Sequence, residues 1–178
     1  MEKNVKKEAF EYLLDRLYKW YEDACDENRK DFTRIKASKL LFLVASVKDE
    51  QGNDLLDIFD KFVTNIYGPI EVDVQEFITE NKFQDYKFGS TYLEKIDCIC
   101  WWKNNVLSDD LKQRLDNAVK ALQNKDYNLI KLNPFDLVQL TTNWDGYRTC
   151  YQVGILIDKP HVEIPINNIR EEFINYKL

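Results

Sequence analysis

Between Ile35 and Val47 the chain reads Ile-Lys-Ala-Ser-Lys-Leu-Leu-Phe-Leu-Val-Ala-Ser-Val, and this stretch limits the fold more than any other. Thr33 ahead of it suits a helix N-cap, because its hydroxyl can accept from a first-turn N–H that has no partner within the helix. Ile35, Leu40, Leu41, Val44 and Val47 then recur at inward positions, and Leu40 to Val44 is apolar around nearly the whole circumference. A helix of that kind has to be covered on all sides. The run Leu40 to Ala45 is far below the ~20 residues of a membrane span. The covering must therefore be protein, and the rest of the chain must supply amphipathic elements that pack around a central helix.

The periodicity supplies them. Phe10, Leu13, Leu14, Leu17, Tyr21 and Ala24 mark one face of a first helix over about Lys3 to Asp26. Residues 49–54, with Gly52-Asn53, read as a turn. Leu55 to Phe62 is apolar and partly helical in spacing, and Gly68-Pro69 stops regular structure there. Glu71 to Thr79 resumes as a helix with Val74, Phe77 and Ile78 inward, and Pro69, Glu71 and Asp73 suit its start. Residues 81–91 read as a loop and Tyr92 to Trp102 as a helix. Ser108-Asp109-Asp110 opens a helix with Leu111, Leu115, Val119 and Leu122 on one face. Asn133-Pro134 with Asp136 opens the next, and a further helix runs through Tyr147 and Tyr151 to Gly154. Val153, Ile155 and Ile157 alternate, as do Val162, Ile164 and Ile166, around Asp158-Lys159-Pro160. That pattern fits a short β-hairpin near residues 153–166 without requiring one. A last helix is expected from about Asn168 to Tyr176. The expected architecture is mainly α: one compact, bundle-like domain over residues 1–178.

Function classes can be narrowed by what the 178 residues lack. His161 is the only histidine, which removes most zinc sites and most imidazole-dependent catalysis. Cys98-Ile99-Cys100 is the only close cysteine pair, and a zinc site needs about four ligands. Only Cys25, Cys150 and His161 could complete one, and none forms a second close pair. The five glycines are far apart, so no phosphate-cradling loop is present. No catalytic residue, metal or cofactor is expected. A net charge of −6 argues against a protein that holds nucleic acid through counterion release. The charged N-terminus has no signal-peptide core and no segment is long enough to span a bilayer, so a cytoplasmic protein with no membrane association is expected. Residues 51–90 hold 3 basic and 8 acidic groups, a net of −5, so nearly all the acidity surrounds Gly68-Pro69. It is read either as a solvated surface or as a face for a basic partner.

Three stretches, in order, resemble the Panacea domain, a SocA-like antitoxin family of bacteria and their phages. Arg34 to Phe42, with Lys39-Leu40-Leu41-Phe42, is similar to the family's "LxKLLYF" helix. Phe59 to Ile70, ending in Tyr67-Gly68-Pro69-Ile70, is similar to its "YGPV" hallmark. Pro134 to Thr141 followed by Trp144 is similar to the late "LVxLTH…W" segment. The resemblance covers about residues 30–175, with residues 1–28 as an extra N-terminal helix. Thr64 and Asn65 stand where the family tends to carry Ala and Trp, and Thr142 and Asn143 where it often has a histidine. Family members are implied to neutralise cognate toxins by direct binding, and at least one kind delivers its toxin to a protease. The resemblance therefore implies a protein partner. Tyr67, Gly68, Pro69, Glu71, Asp73 and Trp144 are the candidate positions for binding that partner or for shaping the surface that does. The alternative is an accessory protein of a phage or mobile element that engages a host or defence protein.

Overall fold

A computed structural model describes residues 2–96 and 107–171. Its elements in chain order are α1 (Lys3–Ala24), α2 (Arg34–Ser46), β1 (Phe62–Val63), β2 (Ile70–Glu71), α3 (Val72–Glu80), β3 (Tyr86–Phe88), β4 (Leu93–Lys95), α4 (Asp109–Lys125), a single 3-10 turn (Leu129–Lys131), α5 (Pro134–Thr142), α6 (Asp145–Leu156) and α7 (Ile166–Glu171). The fold is mainly α, with two small antiparallel two-stranded sheets.

Helix α2 is the hub. Every residue from Lys36 to Ser46 is buried, and α4, α5 and β2 pack against it. Thr33 caps it by accepting from the Lys36 N–H at 3.2 Å. Helix α1 lies in the same core through Phe10, Leu13, Leu14, Leu17 and Trp20, and packs on α3 and α4. Burial of each such side chain contributes about 1.5–3 kcal/mol, enough to make α1 an integral part of the domain. The helix starts at Ser108 and Asn133 form as the sequence requires: Ser108 Oγ accepts from the Leu111 N–H and Asn133 Oδ1 from the N–H groups of Phe135 and Asp136.

Three segments differ from expectation. Residues 55–61 form turns and not a helix, and Phe62 enters a strand that pairs with Glu71. The polar stretch 81–91 and its sequel hold a second hairpin, β3–β4, in register Tyr86↔Lys95. The helix expected from Tyr92 thus opens as a strand, with alternate Tyr86 and Phe88 buried; its remainder, with Cys98, Cys100, Trp101 and Trp102, lies outside the described residues. The hairpins stand at 62–71 and 86–95 and not at 153–166, where α6 continues to Leu156. Tyr147, Cys150 and Gly154 are buried at helical spacing, and that phase outweighs the alternation of Val153, Ile155 and Ile157. The second half of the expected hairpin is extended, but its partner is β1: Thr64 N–H donates to Val162 O at 2.8 Å and Ile164 N–H to Phe62 O at 2.9 Å.

Candidate functional site

The hairpin β1–β2 places Thr64 to Pro69 in a loop gripped from four directions. Thr64 is fully buried, and its Oγ1 accepts from the Val162 N–H at 2.9 Å. Tyr147 Oη, on α6, donates to Asn65 O at 2.7 Å. Burial raises the Tyr147 phenol to about 12, so it stays a donor throughout the neutral range. Lys39 Nζ, on α2, donates to Pro69 O at 2.7 Å. Gly68 N–H closes the turn onto Asn65 O at 2.8 Å.

Gly68 has φ +88°, a region that L-side chains seldom occupy. A β-carbon there would lie 2.9 Å from Thr141 Oγ1 and 3.3 Å from Lys39 Nζ. Glycine is therefore required for both its conformation and its lack of bulk. Gly68 and Pro69 are buried, whereas Ile66 and Tyr67 project outward. The motif is at once a folding corner and a rigid mount for two exposed apolar side chains.

Ile66 adjoins further exposed apolar side chains on α6, while Tyr67 faces a separate cleft. Ile66 and Ile155 line one cleft with Tyr151 and Pro160. Beyond Ile155, the end of α6 presents Leu156, 84% exposed, and Ile157, 52% exposed. Single exposed apolar residues are ordinary, whereas three large aliphatic side chains exposed in succession at one helix end are less so. Sequence reasoning missed Ile155, Leu156 and Ile157 because the alternation of Val153, Ile155 and Ile157 fitted one arm of a short hairpin. The available signal was the position of Ile155 and Leu156 off the Tyr147–Cys150–Gly154 helical phase.

The other expected site residues are placed differently. Trp144 is a core residue, its ring edge-on to Phe42 at 4.8 Å. Glu71 and Asp73 face inward and, with Asp60, surround the buried ammonium of Lys6 from α1 at 2.7, 2.8 and 2.6 Å. Glu71 also caps α3, accepting from the Val74 N–H at 2.8 Å. The carboxylate oxygens of Asp60, Glu71 and Asp73 lie within 4.8 Å of one another, a spacing that suits a cation, and the cation among them is Lys6. Burial acts to lower the Lys6 pKa, and the three carboxylates outweigh it and raise it. Burial raises Glu71 despite the opposing bonds from Lys6 and Val74. Asp60 and Asp73 are held below the ordinary range, because their bonds to Lys6, and for Asp73 also to Lys61, exceed the effect of burial.

The acidic excess around the turn is consequently not an open face. Asp54 pairs with Arg170, Asp57 with Arg114, Glu76 with Lys3 and Glu80 with Lys82, in addition to the three carboxylates on Lys6. His161, the lone imidazole, sits beside the turn with Nδ1 2.8 Å from Thr64 O. Cys25 is half-buried and Cys150 is buried, and both are free thiols. No described helix is long and apolar enough to cross a membrane. Comparison with protein-family models, curated proteins and solved structures returns no match for this chain.

Proposed function

We propose that this protein is an antitoxin-like binding protein that neutralises a toxic partner by direct contact and contributes no chemistry of its own. The observation that carries the reading is the exposure of Ile66 and Tyr67 on the pinned turn and of Ile155, Leu156 and Ile157 at the end of α6, with Ile66 and Ile155 lining one cleft. The similarity of Lys39–Phe42, Tyr67–Pro69 and Pro134–Trp144 to Panacea antitoxin segments points the same way. In this reading the partner covers these side chains, and the surrounding polar groups set its orientation. The paired acids of residues 51–90 make aliphatic contact, rather than bulk charge attraction, the main source of affinity. A cytoplasmic location belongs to the same proposal, as does the use of the bound state as a signal for proteolytic delivery of the partner.

Co-expression with the product of the adjacent gene tests it. The expected result is that the neighbour arrests growth alone, and that this protein restores growth and co-purifies with it. A harmless neighbour, or one that stays toxic and unbound, refutes the proposal. Pull-down of only unlinked host proteins would favour the accessory-protein alternative.

A further inference from the structure

Three lysines are buried among the described residues, and they are not equivalent. Lys6 is bonded to three carboxylates, and Lys36 reaches Asp31 at 3.2 Å and lies over the Tyr21 ring. Lys39 is 1% exposed, and its hydrogen bond is to a neutral carbonyl, Pro69 O. Among the described residues no carboxylate pairs with it. An ammonium offers three donors, so two are left over, and a buried charge without a counter-charge is unfavourable.

Lys39 forms part of the wall of a second cleft of about 310 Å³ beside the turn. Arg34, Ser38, Asn65, Tyr67 and His161 line it as well, and no Asp or Glu does. Arg34 spends one guanidinium nitrogen on Phe88 O at 3.1 Å and has further donors. His161 Nδ1 faces the Thr64 carbonyl, so it carries the proton of the neutral ring, and Nε2 donates only when the ring is cationic. In a protein of net charge −6, a cleft with three cationic or protonatable side chains and no carboxylate is a local inversion of sign.

We propose that this cleft binds a compact oxyanion, the carboxylate or phosphate group of a small molecule, with Lys39 Nζ as its principal charged donor and Arg34 and His161 at its sides. The anion supplies the missing counter-charge, and charge-assisted hydrogen bonds are the strong class. Burial lowers the Lys39 pKa to about 7, and a bound anion raises it again. Because Lys39 also braces Pro69, occupancy stiffens the turn that carries Ile66 and Tyr67. The site exists whether or not that turn meets a protein.

The test titrates the full chain with sodium acetate or sodium phosphate at constant ionic strength, with chloride as the balancing anion. Binding is read from lysine ammonium NMR signals and from Tm. A saturable response above chloride is expected in at least one series, and the series that responds identifies the group. Lys39→Met is expected to weaken it by tenfold or more, equivalent to about 1.4 kcal/mol. Arg34→Gln is expected to weaken it less. Absence of saturation in both series, or an undiminished response in Lys39→Met, overturns the proposal. Should Lys39→Met not fold, the acetate response of wild type decides: it should fall as pH rises from 6 to 9, as Lys39 loses its proton. A response constant over that range overturns the proposal.

Discussion

Replacing Lys6 with methionine removes the cation on which α1, the β1–β2 hairpin and the start of α3 converge. Methionine keeps most of the buried stem, so the change isolates the charge. Its consequence is unequal for the three carboxylates. Asp60 retains solvent, with 37% of its side chain exposed, and Asp73 retains Lys61 at 3.0 Å. Glu71 has a side chain that is 0% exposed and keeps only the Val74 N–H. Stranding one member of a buried pair typically destabilises by about 3–5 kcal/mol. Protonation of Glu71 limits the loss, since each unit of pKa shift is about 1.4 kcal/mol. The expected loss is therefore about 3–4 kcal/mol at pH 7.5, read from urea unfolding.

The pH dependence follows from the direction of each shift. Asp60 and Asp73, held low in the wild type, stabilise above their unfolded pKa of about 3.9, and that stability disappears as pH falls through their folded values. Glu71, held high, acts oppositely: its contribution is complete below its unfolded pKa of about 4.3 and is lost as pH rises through its folded value. Without Lys6 the Glu71 pKa climbs further, so the variant should lose stability more steeply with rising pH. The deficit should shrink to below about 1.5 kcal/mol at pH 5, and Glu71→Gln in the Lys6→Met background should recover at least half of it at pH 7.5. A deficit under about 1 kcal/mol at pH 7.5, or one equal at both pH values, would refute the reasoning, because it would place the network among weak surface pairs.

Other changes separate the frame from the surface. Gly68→Ala forces a side chain into positive φ against Thr141 and Lys39 and should destabilise by about 1–3 kcal/mol, visible as a lower Tm. Leu156→Ser, at an exposed position, should leave stability within about 0.5 kcal/mol in denaturant titration. The same variant should weaken partner binding by about tenfold or more in calorimetry, as loss of an interface anchor does. Lys39 has its folded pKa near 7 against an ordinary 10.5, so the unfolded chain binds more protons between those values and wild-type stability should rise across that window relative to Lys39→Met. Parallel pH profiles for the two proteins would contradict that assignment.

Much of the framework is legible in local chemistry. Thr33, Ser108 and Asn133 each cap the helix that their side chains suggest, and the apolar circumference of Leu40 to Val44 correctly marks α2 as the hub. Short strands are less legible, because two- and three-residue pairings such as Phe62↔Glu71 leave too few residues to show a period. Charge was the least legible property. Glu71 and Asp73 read as first-turn carboxylates on a helix face, and nothing local announces that Lys6, 65 residues away from Glu71 in sequence, is their partner. Lys39 carries a charge that would suit solvent, yet the all-round burial of α2 places it inside. Tyr67, a candidate position from its motif, stands on the turn ahead of Gly68 with 55% exposure, which the motif alone does not reveal.

The central claim is that residues on the pinned turn and the end of α6 meet the partner. Hydrogen exchange of the complex with the adjacent gene product tests it most directly, because it reports where backbone amides become covered. The account predicts new protection concentrated in residues 64–68 and 153–158, diminished by Leu156→Ser at the same partner concentration. Protection confined to α4 or to the β3–β4 hairpin, with residues 64–68 and 153–158 unchanged, would contradict it.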